Sequence, residues 1–104
     1  MEEKTYINIC KAFSDNNRMK IFEMLREKDM CAYEILKHLN CSQPTLSYHM
    51  KLLTDSGIVN GEKRGLWKHY SVNYGLLDEF QHYFEGGAKT KECDLPKPSG
   101  FGFF

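Results

Sequence analysis

The segment from Ser42 to Gly57 constrains this chain more than any other. Ser42 is a strong helix N-cap, because its hydroxyl can accept from the unpaired amides of the first turn. Pro44 falls inside that turn, where a missing amide costs least. Leu46, Met50 and Leu53 then recur at i, i+4 and i+7, so one stripe of the helix is apolar and must be buried. Gly57 can take the left-handed conformation that ends such a helix. The helix therefore needs a core on one side and leaves its other side, Gln43, Ser47, Tyr48 and Lys51, open.

The flanking sequence supplies that core. Tyr6, Ile9, Cys10 and Phe13 recur at helical spacing and predict a first helix over residues 3–13. Asp15 can cap a second helix that carries Ile21, Phe22, Met24 and Leu25 inward and ends near Asp29. Ile35, Leu36 and Leu39 share one face of a short third helix, residues 32–39, and Asn40-Cys41-Ser42 forms a tight turn before the fourth. Residues 58–62 and 66–72 read as two strands, with Trp67, His69 and Ser71 alternating against Lys68, Tyr70 and Val72. Lys63-Arg64-Gly65 is the expected turn between them. A fifth helix over 74–85 carries Leu76, Leu77, Phe80, Tyr83 and Phe84, and Gly86-Gly87 ends it. Residues 3–87 thus read as one domain. Residues 88–104 mix Lys, Glu, Pro, Ser and Gly and read as a flexible tail. The fold class is mostly α with a small β-hairpin, in the order four helices, two strands and a last helix.

Net charge is zero over the 104 residues, but it is unevenly spread. Residues 42–70 carry four cations, Lys51, Lys63, Arg64 and Lys68, against two acids, Asp55 and Glu62. Residues 71–104 carry three lysines against five acids. No stretch approaches the ~18 apolar residues of a membrane helix, so no membrane partner is expected. Met1-Glu2-Glu3-Lys4 has no apolar run behind it, which makes the cytoplasm the expected compartment. Cys10, Cys31, Cys41 and Cys93 show no paired spacing and are expected as thiols.

A short helix joined by a tight turn to a capped longer helix is the helix-turn-helix arrangement, in which the second helix lies in the DNA major groove. Gln43 and Thr45 can read base edges, while Ser47, Tyr48 and Lys51 can bind phosphate. Ser42 and Pro44 belong to the same DNA-facing helix start, whose free amides and positive dipole end suit a phosphate. The hairpin places Lys63, Arg64 and Lys68 on a projecting wing. His49 lies beside the core stripe and reads as a satisfied structural histidine. No phosphate loop, nucleophile elbow or paired carboxylates mark an enzyme. A winged helix used only for protein contact is the alternative to a DNA-binding regulator.

From Ala12 to Asn73 the chain resembles the ArsR/SmtB family of winged helix-turn-helix repressors. The resemblance is carried by Lys11-Ala12-Phe13-Ser14-Asp15-Asn16-Asn17-Arg18-Met19-Lys20-Ile21-Phe22, by Cys41-Ser42-Gln43-Pro44-Thr45-Leu46-Ser47-Tyr48-His49-Met50-Lys51-Leu52-Leu53, and by Ser56-Gly57-Ile58-Val59 through Gly65-Leu66-Trp67-Lys68-His69-Tyr70. It implies a homodimer built on the first and last helices, binding an imperfect palindromic operator in double-stranded DNA and released by an inducer. The expected dimer residues are Tyr6, Ile9, Phe13, Leu76, Leu77, Phe80, Tyr83 and Phe84, since so apolar a terminal face is costly to leave wet.

Many members of that family sense arsenite or soft metals through a Cys-x-Cys pair at the start of the third helix. Here the pair reads Cys31-Ala32-Tyr33, so one thiol is present and the second position is tyrosine. A thiophilic ion needs more sulfur, and Cys10 or Cys93 could supply it. A redox or organic inducer with no metal site is the alternative. Asp78, His82 and Glu85 share a face of the fifth helix but read as a solvated polar surface.

Overall fold

The computed structural model describes residues 1–85. Five helices, α1 (Glu3–Phe13), α2 (Asn16–Glu27), α3 (Ala32–Lys37), α4 (Gln43–Asp55) and α5 (Tyr74–Gln81), surround a sheet of β1 (Met30–Cys31), β2 (Val59–Arg64) and β3 (Trp67–Val72). The strand order is β1-β3-β2 and both pairings are antiparallel.

Local chemistry accounts for the starts of α2, α4 and α5. Asp15 caps α2 by accepting from the amides of Asn17 and Arg18 at 2.9 and 3.1 Å. Ser42 caps α4 by accepting from the Thr45 amide at 3.3 Å. Asn73 caps α5 through the Leu76 amide, and its Nδ2 donates to the Gly57 carbonyl at 3.0 Å, so one side chain ties the end of α4 to the start of α5. Gly57 has φ +90°, and a Cβ there would stand 3.1 Å from Leu76 Cδ2. The conformation therefore favours glycine at this stop, and an added Cβ would also press on the Leu76 side chain.

The apolar stripes converge as their spacing demands. Ile9, Ile21, Leu25, Ile35, Leu53, Ile58 and Val59 are fully buried, with Leu46, Met50, Tyr70 and Val72 around them. Leu39 anchors the turn between α3 and α4, and half-buried Cys41 packs against the same core.

Four details depart from the sequence expectation. A third strand, β1, pairs Met30 with Tyr70 and Cys31 with His69. Two residues cannot display a period-two pattern, so no sequence signal marks it. The hairpin turn is Gly65-Leu66, not residues 63–65, because Arg64 still pairs with Trp67. Gly65 has φ +63° while Leu66, like every other non-glycine among the described residues, has no positive φ, the signature of a type II′ turn. Helix α5 stops at Gln81 instead of continuing to residue 85. Tyr83 and Phe84 lie in the following turn, where both rings pack on Tyr6. Finally, Ile9 is fully buried inside its own protomer and presents no surface to a partner. The expected stop at Gly86-Gly87 and the expected tail, residues 88–104, lie outside the described residues.

Candidate nucleic-acid interface

Burial of Leu46, His49, Met50 and Leu53 turns Gln43, Pro44, Thr45, Ser47, Tyr48 and Lys51 outward, and all six are exposed. The first two turns of α4 thus present an uncharged polar surface beside the positive end of the helix dipole. Ser42 Oγ donates to Thr45 Oγ1 at 3.0 Å, which holds the threonine in place and leaves its own hydroxyl proton free to donate. Tyr48 is 58% exposed, so both its ring face and its hydroxyl are open to a partner.

The wing adds charge. Lys63 and Lys68 are direct cross-strand partners, and both are exposed. Like charges placed opposite each other destabilise a hairpin, and an anion between them removes the penalty. Arg64 is bound to Glu62 Oε1 at 2.9 and 3.1 Å, and Lys51 to Asp55 at 2.9 Å. Such exposed pairs are worth ~1 kcal/mol or less, so a phosphate can readily replace the carboxylate.

The histidine beside the reading face is held from behind. Arg18 Nη1 lies 3.0 Å from His49 Nδ1, and Arg18 Nε donates to the Ala12 carbonyl at 2.7 Å. Asp15 Oδ2 stands 3.9 Å from His49 Nε2. The cluster joins the end of α1, the cap of α2 and the middle of α4. The Arg18 amide, then the Asn17 amide and the Arg18 charge, hold the Asp15 carboxyl below its ordinary value against a smaller opposing effect of burial. Nothing in the spacing of Asp15, Arg18 and His49 announces this cluster, since 31 residues separate the arginine from the histidine.

The thiols are dispersed among the described residues. Cys31 is half-buried at the cap of α3, where its amide donates to Glu34 Oε1 at 3.2 Å. Its strand partner is His69, which in turn opposes Glu62. Cys10 is exposed on α1. Among the described residues no three of His, Cys, Asp and Glu are arranged to hold a metal ion, and Cys93 lies outside them. His82 is exposed, with Nδ1 2.8 Å from the Asp78 carbonyl oxygen; this contact, then the charges of Glu85 and Asp78, raises its pKa.

Two apolar features were not apparent from the sequence. Tyr33 and Trp67, both about half exposed, pack with ring centroids 5.5 Å apart beside a cavity of about 250 Å³ between α3, α4 and the wing. Leu66, at the wing tip, is 91% exposed. A leucine in an otherwise polar turn was the available signal for it.

A recognition helix with an open polar face, braced from behind and flanked by a basic hairpin, defines a winged helix-turn-helix DNA-binding regulator. Residues 15–61 match the model of the bacterial regulatory protein, arsR family. The chain is 39% identical over 79 residues to the arsenical resistance operon repressor of Staphylococcus aureus, covering 76% of each. It is 35% identical over 88 residues to the transcriptional repressor SdpR of Bacillus subtilis (strain 168), covering 85% of this chain and 98% of that one. The fold is shared with an ArsR-like transcriptional regulator from Rhodococcus sp. RHA1, with a TM-score of 0.71, 23% identity, and coverage of 79% of this chain and 77% of that one. The chain belongs to the arsR family of bacterial regulatory proteins: it is a DNA-binding transcriptional regulator and not an enzyme. No helix among the described residues is long and apolar enough to cross a membrane.

Proposed function

We propose that the chain is a homodimeric repressor of an imperfect palindromic operator, released by an inducer. Gln43 and Thr45 read base edges, Ser47, Tyr48 and Lys51 contact the strand beside them, and Ser42 and Pro44 bring the helix start against a phosphate. Lys63, Arg64 and Lys68 hold the neighbouring backbone. The observation that carries the reading is the uncharged, exposed first half of α4 lying opposite a fully buried stripe. Dimerisation is supported by α5, none of whose residues is fully buried although Leu76, Leu77 and Phe80 are on it. Tyr6, Phe13 and Tyr83 are likewise half covered, and Phe84 is 76% exposed. Two copies set two recognition helices about 34 Å apart, one turn of DNA.

For the inducer, the first reading is arsenite or another thiophilic ion bound at Cys31, with a second sulfur from Cys10 or Cys93. The name of the Staphylococcus aureus relative supports it. The cavity beside Tyr33 and Trp67 favours a second reading, a small organic inducer, because Gln43 and Ser47 line the same space. Titration of arsenite, and separately zinc, into a protein–DNA complex decides between them. Release by arsenite that is lost in Cys31→Ser supports the first. Release that survives Cys31→Ser rejects that site, and release by neither ion favours an organic or redox inducer.

A further inference from the structure

We infer that Leu66 is an apolar wedge that enters the DNA minor groove and partly unstacks one base step; the inference rests on the DNA-binding reading and adds a contact to it. Leu66 is the second residue of a two-residue turn, and it is 91% exposed. The turn does not need leucine there. Gly65 alone supplies the positive φ, and no atom lies within 4 Å of where its Cβ would be, so the tip stands clear of the rest of the protein. A tip that met only water would be served by Asn, Asp or Ser, the residues that turns favour.

The surroundings state what the leucine meets. Lys63, Arg64 and Lys68 are exposed on the two strands directly behind it, with Glu62 the only acid on that end of the hairpin and already engaged by Arg64. The tip is therefore apolar and its collar is cationic. DNA meets both demands: phosphates flank the groove at the level of the collar, and the base-step edges at its floor accept an apolar side chain. The tip is also continuous with the recognition surface, because Arg64 at the tip pairs with Trp67, whose ring shares a cavity with Gln43 and Ser47 of α4. A strand-paired turn of two residues has little freedom, so the leucine is held forward before DNA arrives. Insertion between base steps bends the duplex, and the energy of unstacking is offset by covering the leucine and closing the collar on phosphate.

The test uses a 30-base-pair duplex selected from a random pool by the wild-type protein. 2-Aminopurine replaces adenine, one position at a time, on either side of the major-groove site. Wild type and Leu66→Met are expected to raise 2-aminopurine fluorescence at one step and to bend the duplex, measured by end-to-end energy transfer. Leu66→Ser is expected to lose both signals and to bind about 10-fold more weakly, while still selecting the same sequence. Unchanged bend and fluorescence in Leu66→Ser overturn the wedge, whether or not affinity falls. A Leu66-dependent change in sedimentation of the free protein, with the bend unaltered, also overturns it and makes the tip a contact between copies. If the wild type selects no sequence at all, the DNA-reading proposal fails with it, an outcome distinct from specific binding without a bend.

Discussion

The Arg18 guanidinium donates to His49 Nδ1 at 3.0 Å, which ties the start of α2 to the middle of α4. Arginine has no acceptor, so Nδ1 must be the acceptor and the ring proton sits on Nε2, facing Asp15. Arg18→Ala leaves both the buried ring nitrogen and the Ala12 carbonyl without their partner. The expected loss is about 1–3 kcal/mol of stability, read from urea unfolding. Operator affinity is expected to fall with sequence preference unchanged. A relaxed preference would show that Arg18 shapes the reading face itself.

Acid should loosen the same corner. Asp15 is held below its ordinary value first by the Arg18 amide, and Glu34 first by the Cys31 amide. A depressed carboxyl contributes stability that is complete above its unfolded pKa and is lost as pH falls through the folded value. The contribution of these two carboxylates is therefore expected to be flat above about pH 5, and unfolding midpoints to drop below about pH 4. Asp15→Asn and Glu34→Gln should each flatten that drop, as thermal melts across the range would reveal; a drop of the same size in both variants assigns it to other carboxylates.

Recognition helix and wing should separate cleanly. Gln43→Ala is expected to cost about 1–3 kcal/mol of operator binding and to blur discrimination between sequences. Lys63→Ala is expected to weaken specific and nonspecific DNA alike and to reduce the slope of log K against log salt by about one per protomer. Removing one of two opposed lysines also relieves repulsion, so Lys63→Ala should stabilise the free protein by a few tenths of a kcal/mol. Full discrimination by Gln43→Ala in competition gel shifts would remove α4 from the role of reader.

Gly57→Ala should be more damaging than its size suggests. It forces a side chain into φ +90° and against Leu76 at 3.1 Å. The expected cost is about 1–3 kcal/mol. Because Gly57 and Asn73 share a hydrogen bond, the loss should appear as early exchange of α5 amides. Protection of α5 equal to wild type would show that the corner absorbs the change.

The dimer surface should respond to charge where the protomer leaves it open. Phe84 is 76% exposed and Ile7, which the spacing of α1 did not single out, is 44% exposed. Phe84→Glu and Ile7→Glu should each shift sedimentation toward monomer and weaken operator binding. Ile9→Glu should instead unfold the protomer, because Ile9 has no exposed surface. A monomeric wild type at micromolar concentration sets the dimer proposal aside.

Much of this fold was legible because it is local. Asp15, Ser42 and Gly57 mark helix ends through groups within a few residues of themselves, and the i, i+4, i+7 stripe of Leu46, Met50 and Leu53 sets which side of α4 stays open. What only the tertiary structure decided joins positions far apart in the chain. Met30 and Cys31 become a strand because β3 offers them an edge. Arg18 finds His49 because α1, α2 and α4 share a core. Helix α5 stops at Gln81, with Tyr83 stacked on Tyr6 from the other end of the domain and Phe84 edge-on to the same ring. Ile9 looks interchangeable with Tyr6 and Phe13 along α1, yet the first is sealed in and the others stay half covered. Helical periodicity names a face; the neighbours that pack against it decide how much of that face remains for a partner.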